Sequence, residues 1–593
     1  MTLKIKNKLA QINIIDAFVL LWFIFVAYCW ILSFFNLLRF DLVRVFTIPT
    51  FTFMTLIGVC KVVNNIGIYR TDRRNSSKIT ASNYTKIKNI IAVTIWVLFV
   101  LIQLALIIEL PPTNWDSMTY HLPKVGLALQ YESMILPSNI TITRINSSPW
   151  SSEIANLAFF SLIGKDHLVE IPQLLAAMGI AILLVKYIKT GKYWISLVVL
   201  SVPIFVTQMV TTQNDLLLYF LALYTFMCLK NLLARPSALK IVLLIAGSAL
   251  FISIKATSIP ILIITFITLI CHDVYHKKHW RNKIEKFDRK KGVNFALTFL
   301  VTSIIALIVA LPSYFISKDY YNNYLYQPPD TAAKFAVGIN TFSENIKHFG
   351  SIFFGPTSYS YNNTYNHDTG NLGYVFVISV LLSIVLAVFS PKGIKKIIKD
   401  PLFQASTIFL IVFMVIHYPD PWDLRMVMFP LVTIEFLLIS NLASTAVLEK
   451  LILVILVLGS CFVCYGWCRY VYNTVNEQPY TAPLSITEYW GKSRPSLIGL
   501  YNDAKFIDNK PDKILVIGTE DTWVYPYFKS DMSNKIFFSQ EYEDEEYDFV
   551  VVDIGVNNHK LQDKIELCNK VISADNMTVI FGRKNTKCVD GQK

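Results

Sequence analysis

Charge is scarce in this chain. Asp, Glu, Lys and Arg make up 16% of 593 residues, against roughly 25% in an ordinary soluble domain. A shortfall of that size over this length excludes a water-soluble fold. With 54% hydrophobic and 14% aromatic residues, disorder is excluded too, because a disordered chain is poor in the apolar surface that drives folding. Cysteine is sparse, at nine residues. Cys461, Cys464 and Cys468 share one face of an apolar helix, a placement that suits packing better than metal ligation.

What is present is apolar length. A membrane span needs about 17–25 mostly apolar residues. Such runs fall at 15–36, 46–67, 89–110, 168–186, 193–209, 216–233, 239–254, 256–271, 294–316, 372–390, 402–417, 426–445 and 450–468. The expected fold class is therefore an α-helical polytopic membrane protein with about 13 transmembrane helices. The first run is too long for a signal peptide and no small-residue cleavage site follows it.

The net charge of +13 reads first as topology, since Lys and Arg collect in cytoplasmic loops and nucleic acid is a poorer explanation. With a cytoplasmic N-terminus, the segments 1–14, 68–88, 186–192, 230–240, 272–293, 391–401 and 446–450 hold 28 of the 54 basic residues. The run KKHWRNKIEKFDRKK within 272–293 is the strongest anchor. The long loops 111–167 and 317–371 then lie outside, and an odd span count places the C-terminal segment there as well. The expected location is the inner or plasma membrane of a bacterium.

Residues 1–468 thus form a transmembrane domain, and 469–593 a small extracytoplasmic domain. The second segment changes character, with 19 acidic against 15 basic residues. Its short apolar runs KILVIG, KIFF, DFVVVD and MTVIFG alternate with polar stretches, which predicts an α/β domain with a parallel sheet. Gly518 after the first run can cradle a phosphate or simply make a turn. Cys568 and Cys588 lie where a disulfide is permitted.

Ionisable groups at a membrane surface are functional candidates. The first long loop opens NWDSMTYHLP, placing Asp116 just past a span with His121 one and a half helical turns on. A carboxylate there can accept a proton or hold a divalent cation. It can equally cap a short interfacial helix, with Trp115 and Tyr120 as belt aromatics. Arg144 can pair with phosphate, and Trp150 lies in an amphipathic turn. Glu153 supplies a second carboxylate or pairs with Arg144. Asn214 and Asp215 open a span. Lys255 in SIKATSIP meets an anion or snorkels to the surface. His367 and Asp368, in NHDTGN ending at Asn371, are metal ligands, substrate contacts or ordinary turn residues. Trp422 and Arg425 top a later span, where Arg425 can grip phosphate bidentately. One topology brings Asp116, Arg144, Glu153, Asp215, Lys255, His367, Asp368 and Arg425 to the same outer face.

WDSMTYHLPKVGLALQ, the downstream Pro149 to Glu153, Asn214-Asp215, SIKATS, NHDTGN and Trp422 to Pro430 together resemble the GT-C membrane glycosyltransferases. The likeness is to the bacterial branch related to protein mannosyltransferases and to the aminoarabinose transferase that modifies lipid A. It covers roughly residues 90–440. It implies a GT-C-like fold and a polyprenyl-phosphate-linked sugar as donor. The acceptor would be an extracytoplasmic protein, lipid or cell-envelope glycan, with membrane lipid the other partner. Asp116 matches the acidic residue that serves this superfamily as general base or metal ligand. Lys255, Arg425 and Arg144 would bind the donor phosphate. Tyr120, His121, Trp150, Glu153, Asn214, Asp215, Asn371 and Trp422 would contact substrate, and His367 and Asp368 would hold a divalent cation. The rival functions are a lipid-linked-glycan transporter or flippase, and a glycan ligase or polymerase using a lipid-diphosphate donor.

Overall fold

The computed structural model describes residues 13–72, 81–110, 112, 114–188, 192–276, 289–325, 373–388, 390–416, 424–442, 446–476, 513–518, 522–529, 531–539, 547–553, 570–572 and 578–582. The helical body contains α1 (Ile14–Phe34), α2 (Phe40–Asp72) and α3 (Ala81–Glu109). A π-helical turn, Ser117–His121, leads into α4 (Leu122–Gln130), and α5 (Ser151–Ile163) and α6 (Ile171–Ile188) follow. Next come α7 (Asp215–Ala234), α8 (Ala238–Ile252), α9 (Ser258–His276), α10 (Arg289–Ala310) and α11 (Pro312–Tyr321). The last helices are α12 (Tyr374–Val388), α13 (Pro401–Ile416), α14 (Leu424–Leu442) and α15 (Ala446–Asn476).

Among the described residues, eight helices are long and apolar enough to cross a membrane, or ten if two bent pairs each count as one span. The polytopic helical architecture is as expected, and eight to ten of the expected thirteen spans meet this length among the described residues. Within the described residues each expected run contains helix, where α8 and α12 have 15 residues and α13 has 16. The run 193–209 breaks between Tyr193–Leu200 and Pro203–Val210 with a bend of 88°. Pro203 has no N–H to continue the preceding helix and starts a new one instead. Trp194, Val199 and Phe205 in this segment are fully buried, so its apolarity reflects protein core. Hydropathy cannot separate the two causes.

Contacts bear on which segments share a side. At one end of the body Glu449 pairs with Lys88 at 2.5 Å and Lys192 at 2.6 Å, while the Tyr187 hydroxyl donates to Asp400 at 2.8 Å. All these residues belong to segments assigned to the basic side.

The C-terminal strands β1 (Lys513–Ile517), β2 (Lys535–Phe538), β3 (Phe549–Asp553), β4 (Lys570–Ile572) and β5 (Thr578–Gly582) form one sheet in the order β2-β1-β3-β5-β4. The expected parallel sheet is mixed: β1 runs parallel to β2 and β3, whereas β5 is antiparallel to β3 and β4. The link from Ile572 to Thr578 is too short for a parallel crossover, which needs about a dozen residues. The space beside Gly518 is taken up by the Thr522 side chain.

This sheet docks on the loop that carries Asp116. The Val524 amide donates to the Met118 carbonyl at 3.2 Å, and the Gln130 side chain exchanges two hydrogen bonds with the Ile536 backbone, at 2.9 and 2.8 Å. Trp523 meets Trp115 edge to face at 5.2 Å, and Tyr525 donates to buried Asp166 at 3.1 Å. The tail and the Asp116 loop therefore share one side.

Candidate active site

Asn114, not Asp116, caps the turn after α3: its side-chain oxygen accepts from the Ser117 amide at 3.1 Å, and Asp116 makes no capping bond. The interfacial N-cap reading of Asp116 is corrected accordingly. The Leu122 amide reaches back to the Ser117 carbonyl, and Pro123 follows with no N–H to give, so the chain widens into a π turn. Freed from capping, the Asp116 carboxylate faces Arg425 Nη1 at 2.8 Å and Arg144 Nη1 at 3.9 Å. Gln213 Nε2 donates to it at 3.3 Å. Burial raises the pKa of this carboxyl, but Arg425, then His121, Arg144 and Lys255, outweigh burial and hold it below the ordinary value.

Asp215 is the first residue of α7, where the helix dipole favours a carboxylate. Its two oxygens take Lys255 Nζ at 3.2 Å and Arg425 Nε at 3.6 Å. Lys255 thus meets an anion rather than snorkelling. Its turn between α8 and α9 is held by the Asn214 side chain, which donates to the Ile254 carbonyl at 3.4 Å. The Ser151 amide supports the same turn from α5, donating to the Ser253 carbonyl at 2.9 Å. Arg425, at the start of α14, bridges both carboxylates, and its own carbonyl accepts from the Tyr219 hydroxyl at 2.9 Å. Among the described residues, these three cations and two carboxylates lie together. Beneath them, Tyr219 stacks on Phe429 at 4.8 Å over an apolar groove lined also by Phe226, Ile261, Leu402 and Phe409.

A second buried group adjoins the first. His121 Nδ1 lies 2.6 Å from Glu153 Oε1, and both side chains are almost fully enclosed. Ser152 Oγ donates to the other Glu153 oxygen at 2.7 Å. Lys124 donates to the carbonyl and hydroxyl of Ser148 and to the Pro149 carbonyl, with Nζ 4.3 Å from the centre of the Trp150 ring. This lysine fixes the turn that starts α5 and so places Glu153. Burial pushes Lys124 down to about 8 against the pull of Glu153. Burial alone would raise Glu153, but Lys124, His121 and Ser152 hold it below its ordinary value. Of the two roles left open for Glu153, second carboxylate or partner of Arg144, its ion-pair partner is His121, while Arg144 faces Asp116 and the Tyr120 ring, 5.6 Å away.

The structure therefore brings Asp116, Arg144, Asp215, Lys255 and Arg425 together, with Tyr120, His121, Trp150, Glu153 and Asn214 around them. His367, Asp368, Asn371 and Trp422 lie outside the described residues, as do Cys568 and Cys588. Lys124, Gln213 and Tyr219 were missed. Lys124 had one usable signal, a buried-side position three residues after His121 on the same helix face. Among the described residues, no group of three or more His, Cys, Asp or Glu is placed to hold a metal ion. Asp116 and Asp215 are ringed by arginine and lysine, a donor set that does not suit a divalent cation.

No protein family's profile matches this chain, and no curated protein matches its sequence. Among solved structures it is similar to ArnT from Cupriavidus metallidurans bound to undecaprenyl phosphate. That match has a TM-score of 0.48 and 9% identity, over 85% of this chain and 98% of that one. Apo ArnT from the same organism gives a TM-score of 0.48 and 8% identity, over 82% and 97%.

Proposed function

We propose that this chain is an integral-membrane glycosyltransferase that moves a sugar from a polyprenyl-phosphate donor to a hydroxyl on an extracytoplasmic acceptor. The observation that carries the reading is Arg425 held between Asp116 and Asp215, with Arg144 and Lys255 on its flanks. Three clustered cations suit an anion, and Arg presents a planar fork that matches phosphate. The groove below Tyr219 and Phe429 offers apolar surface to the start of a polyprenyl chain. Donor phosphate and lipid tail are thus both provided for within a few residues.

In the reaction, the acceptor oxygen bonds to the anomeric carbon as the bond from that carbon to the phosphate oxygen breaks. Negative charge grows on the departing phosphate, and fixed cations there act most strongly in the transition state. Asp116 and Asp215 keep those cations aimed when no donor is bound. The basic-residue count supports a cytoplasmic N-terminus with this site on the far face.

The test is to incubate purified protein with a panel of polyprenyl-phosphate and polyprenyl-diphosphate sugars and to follow donor consumption. Asp116→Asn should cut consumption of a monophosphate donor by about 10²-fold or more, the scale of one lost electrostatic contact, while membrane insertion is unchanged. Near-normal transfer by that variant removes Asp116 from the mechanism. A flippase would return every donor chemically intact, and a ligase would consume only diphosphate donors.

A further inference from the structure

The cation cluster accounts for the leaving group but leaves the acceptor proton unassigned. Asp116 is a poor recipient: its oxygens face Arg425, Arg144 and Gln213, and a carboxylate stabilised by arginines is weakly basic. Beside it lies a group that no phosphate contact requires. We infer that His121 is the proton acceptor of the transfer proposed above, with Glu153 as its positioning residue. The inference rests on that reading of the cation cluster and assigns its missing acid–base step.

The geometry argues for the tautomer. Glu153 accepts from Ser152 on one oxygen and lies 2.6 Å from His121 Nδ1 on the other. Its neighbours keep it ionised, and an ionised carboxylate can only accept, so Nδ1 carries the hydrogen. With Nδ1 so engaged, Nε2 is the nitrogen left to take a proton, and no hydrogen bond to it is found among the described residues. A carboxylate fixing an imidazole while the other nitrogen works is the arrangement general bases use. The rest of the shell restrains the ring. Tyr120 packs on it with centroids 4.2 Å apart, Lys124 faces Glu153 from α4, and Asp116, Arg144 and Arg425 lie on the cluster side.

The step balances. The acceptor O–H bond breaks and its proton goes to His121 Nε2, while the oxygen's electron pair forms the bond to the anomeric carbon. The electron pair of the broken carbon–oxygen bond stays on the polyprenyl phosphate, against Arg425 and Lys255. His121 then gives that proton to water admitted as the products leave.

Full-length protein in lipid nanodiscs tests this with two readouts, binding of sugar-free polyprenyl phosphate and transfer from the sugar-loaded donor. His121→Gln keeps an amide donor for Glu153 but removes the basic nitrogen, and His121→Ala opens space for imidazole. Both should bind polyprenyl phosphate within about twofold of wild type. Transfer should fall by about 10²–10⁴-fold, the usual contribution of general-base catalysis, with added imidazole restoring part of the activity of His121→Ala. Glu153→Gln should lose turnover with little change in donor KM. Transfer by either His121 variant within threefold of wild type, or loss of lipid binding that matches the loss of transfer, overturns the inference. Should Arg425→Gln also transfer normally, the donor-site reading itself is the one that fails.

Discussion

Arg425 Nη1 lies 2.8 Å from Asp116 Oδ2, and the same guanidinium reaches Asp215 through Nε at 3.6 Å. One side chain at the head of α14 thereby ties the π turn after α3 to the first residue of α7. The three segments are far apart in sequence, yet each places its charge at the end of an apolar helix. Pairing opposite charges is how a membrane protein tolerates them there. In the proposed function the same pairing aims these cations at the donor phosphate.

Arg425→Lys should not behave as a conservative change. Lysine keeps the charge but cannot contact Asp116 and Asp215 from one rigid fork. Turnover should fall by about 10–10²-fold, less than for Arg425→Gln, where a full transition-state contact worth about 10²–10³-fold is removed. Steady-state assays of the three proteins with one donor check the ranking.

Gly126 gives a purely structural prediction. A Cβ at this position would come within 2.7 Å of the Phe528 ring, where the C-terminal sheet docks on α4. Gly126→Val should loosen that contact by about 1–3 kcal/mol, the common cost of overpacking. Earlier proteolytic release of the tail and reduced transfer should appear together. Truncating the ring in the double variant Gly126→Val with Phe528→Ala should relieve the clash.

Acid should weaken the site late. Asp116 and Glu153 sit below their ordinary values in the folded protein, so the unfolded chain binds their protons more readily. Their stabilising contribution is complete above about pH 4.5, where unfolded carboxylates are ionised, and is lost as pH falls through the folded values. Lys124, lowered to about 8, works at the other end. Its burial cost is present in full below that pH and is relieved as pH rises from there toward the unfolded value of about 10.4. Thermal unfolding of wild type and Lys124→Met at pH 7 and 9.5 should shift in favour of wild type at the higher pH.

Chelation separates two sources of positive charge. Arg425, Arg144 and Lys255 carry no metal dependence, so transfer should persist in EDTA at half or more of its untreated rate. A loss restored by one divalent ion would instead support the cation site expected from His367 and Asp368.

The sequence revealed which residues matter more readily than how they pair. Counting basic residues sent Asp116, Arg144, Asp215, Lys255 and Arg425 to one face, because a span's length fixes which loops share a side. It could not show that Glu153 prefers His121 to Arg144, since a partner 32 positions away in sequence depends on how α4 and α5 pack. Lys124 stayed hidden because it follows a proline in a short helix and does its binding through backbone carbonyls. The segment Tyr193–Val210 looked like a span because a buried helix pair and a lipid-facing helix have the same composition. In the tail, the three-residue strand β4 was too short to leave an apolar signal.

The most direct measurement is the affinity of polyprenyl phosphate for the purified protein, titrated with wild type and with Arg425→Gln in the same membrane mimetic. A hydrogen bond to a charged group is worth about 1.5–3 kcal/mol, so the variant should bind about 10- to 150-fold more weakly. Wild-type binding should be saturable and competed by the sugar-loaded donor. Equal affinity of the two proteins, or lipid binding that the donor does not displace, would contradict a phosphate-gripping role for the Arg425 cluster.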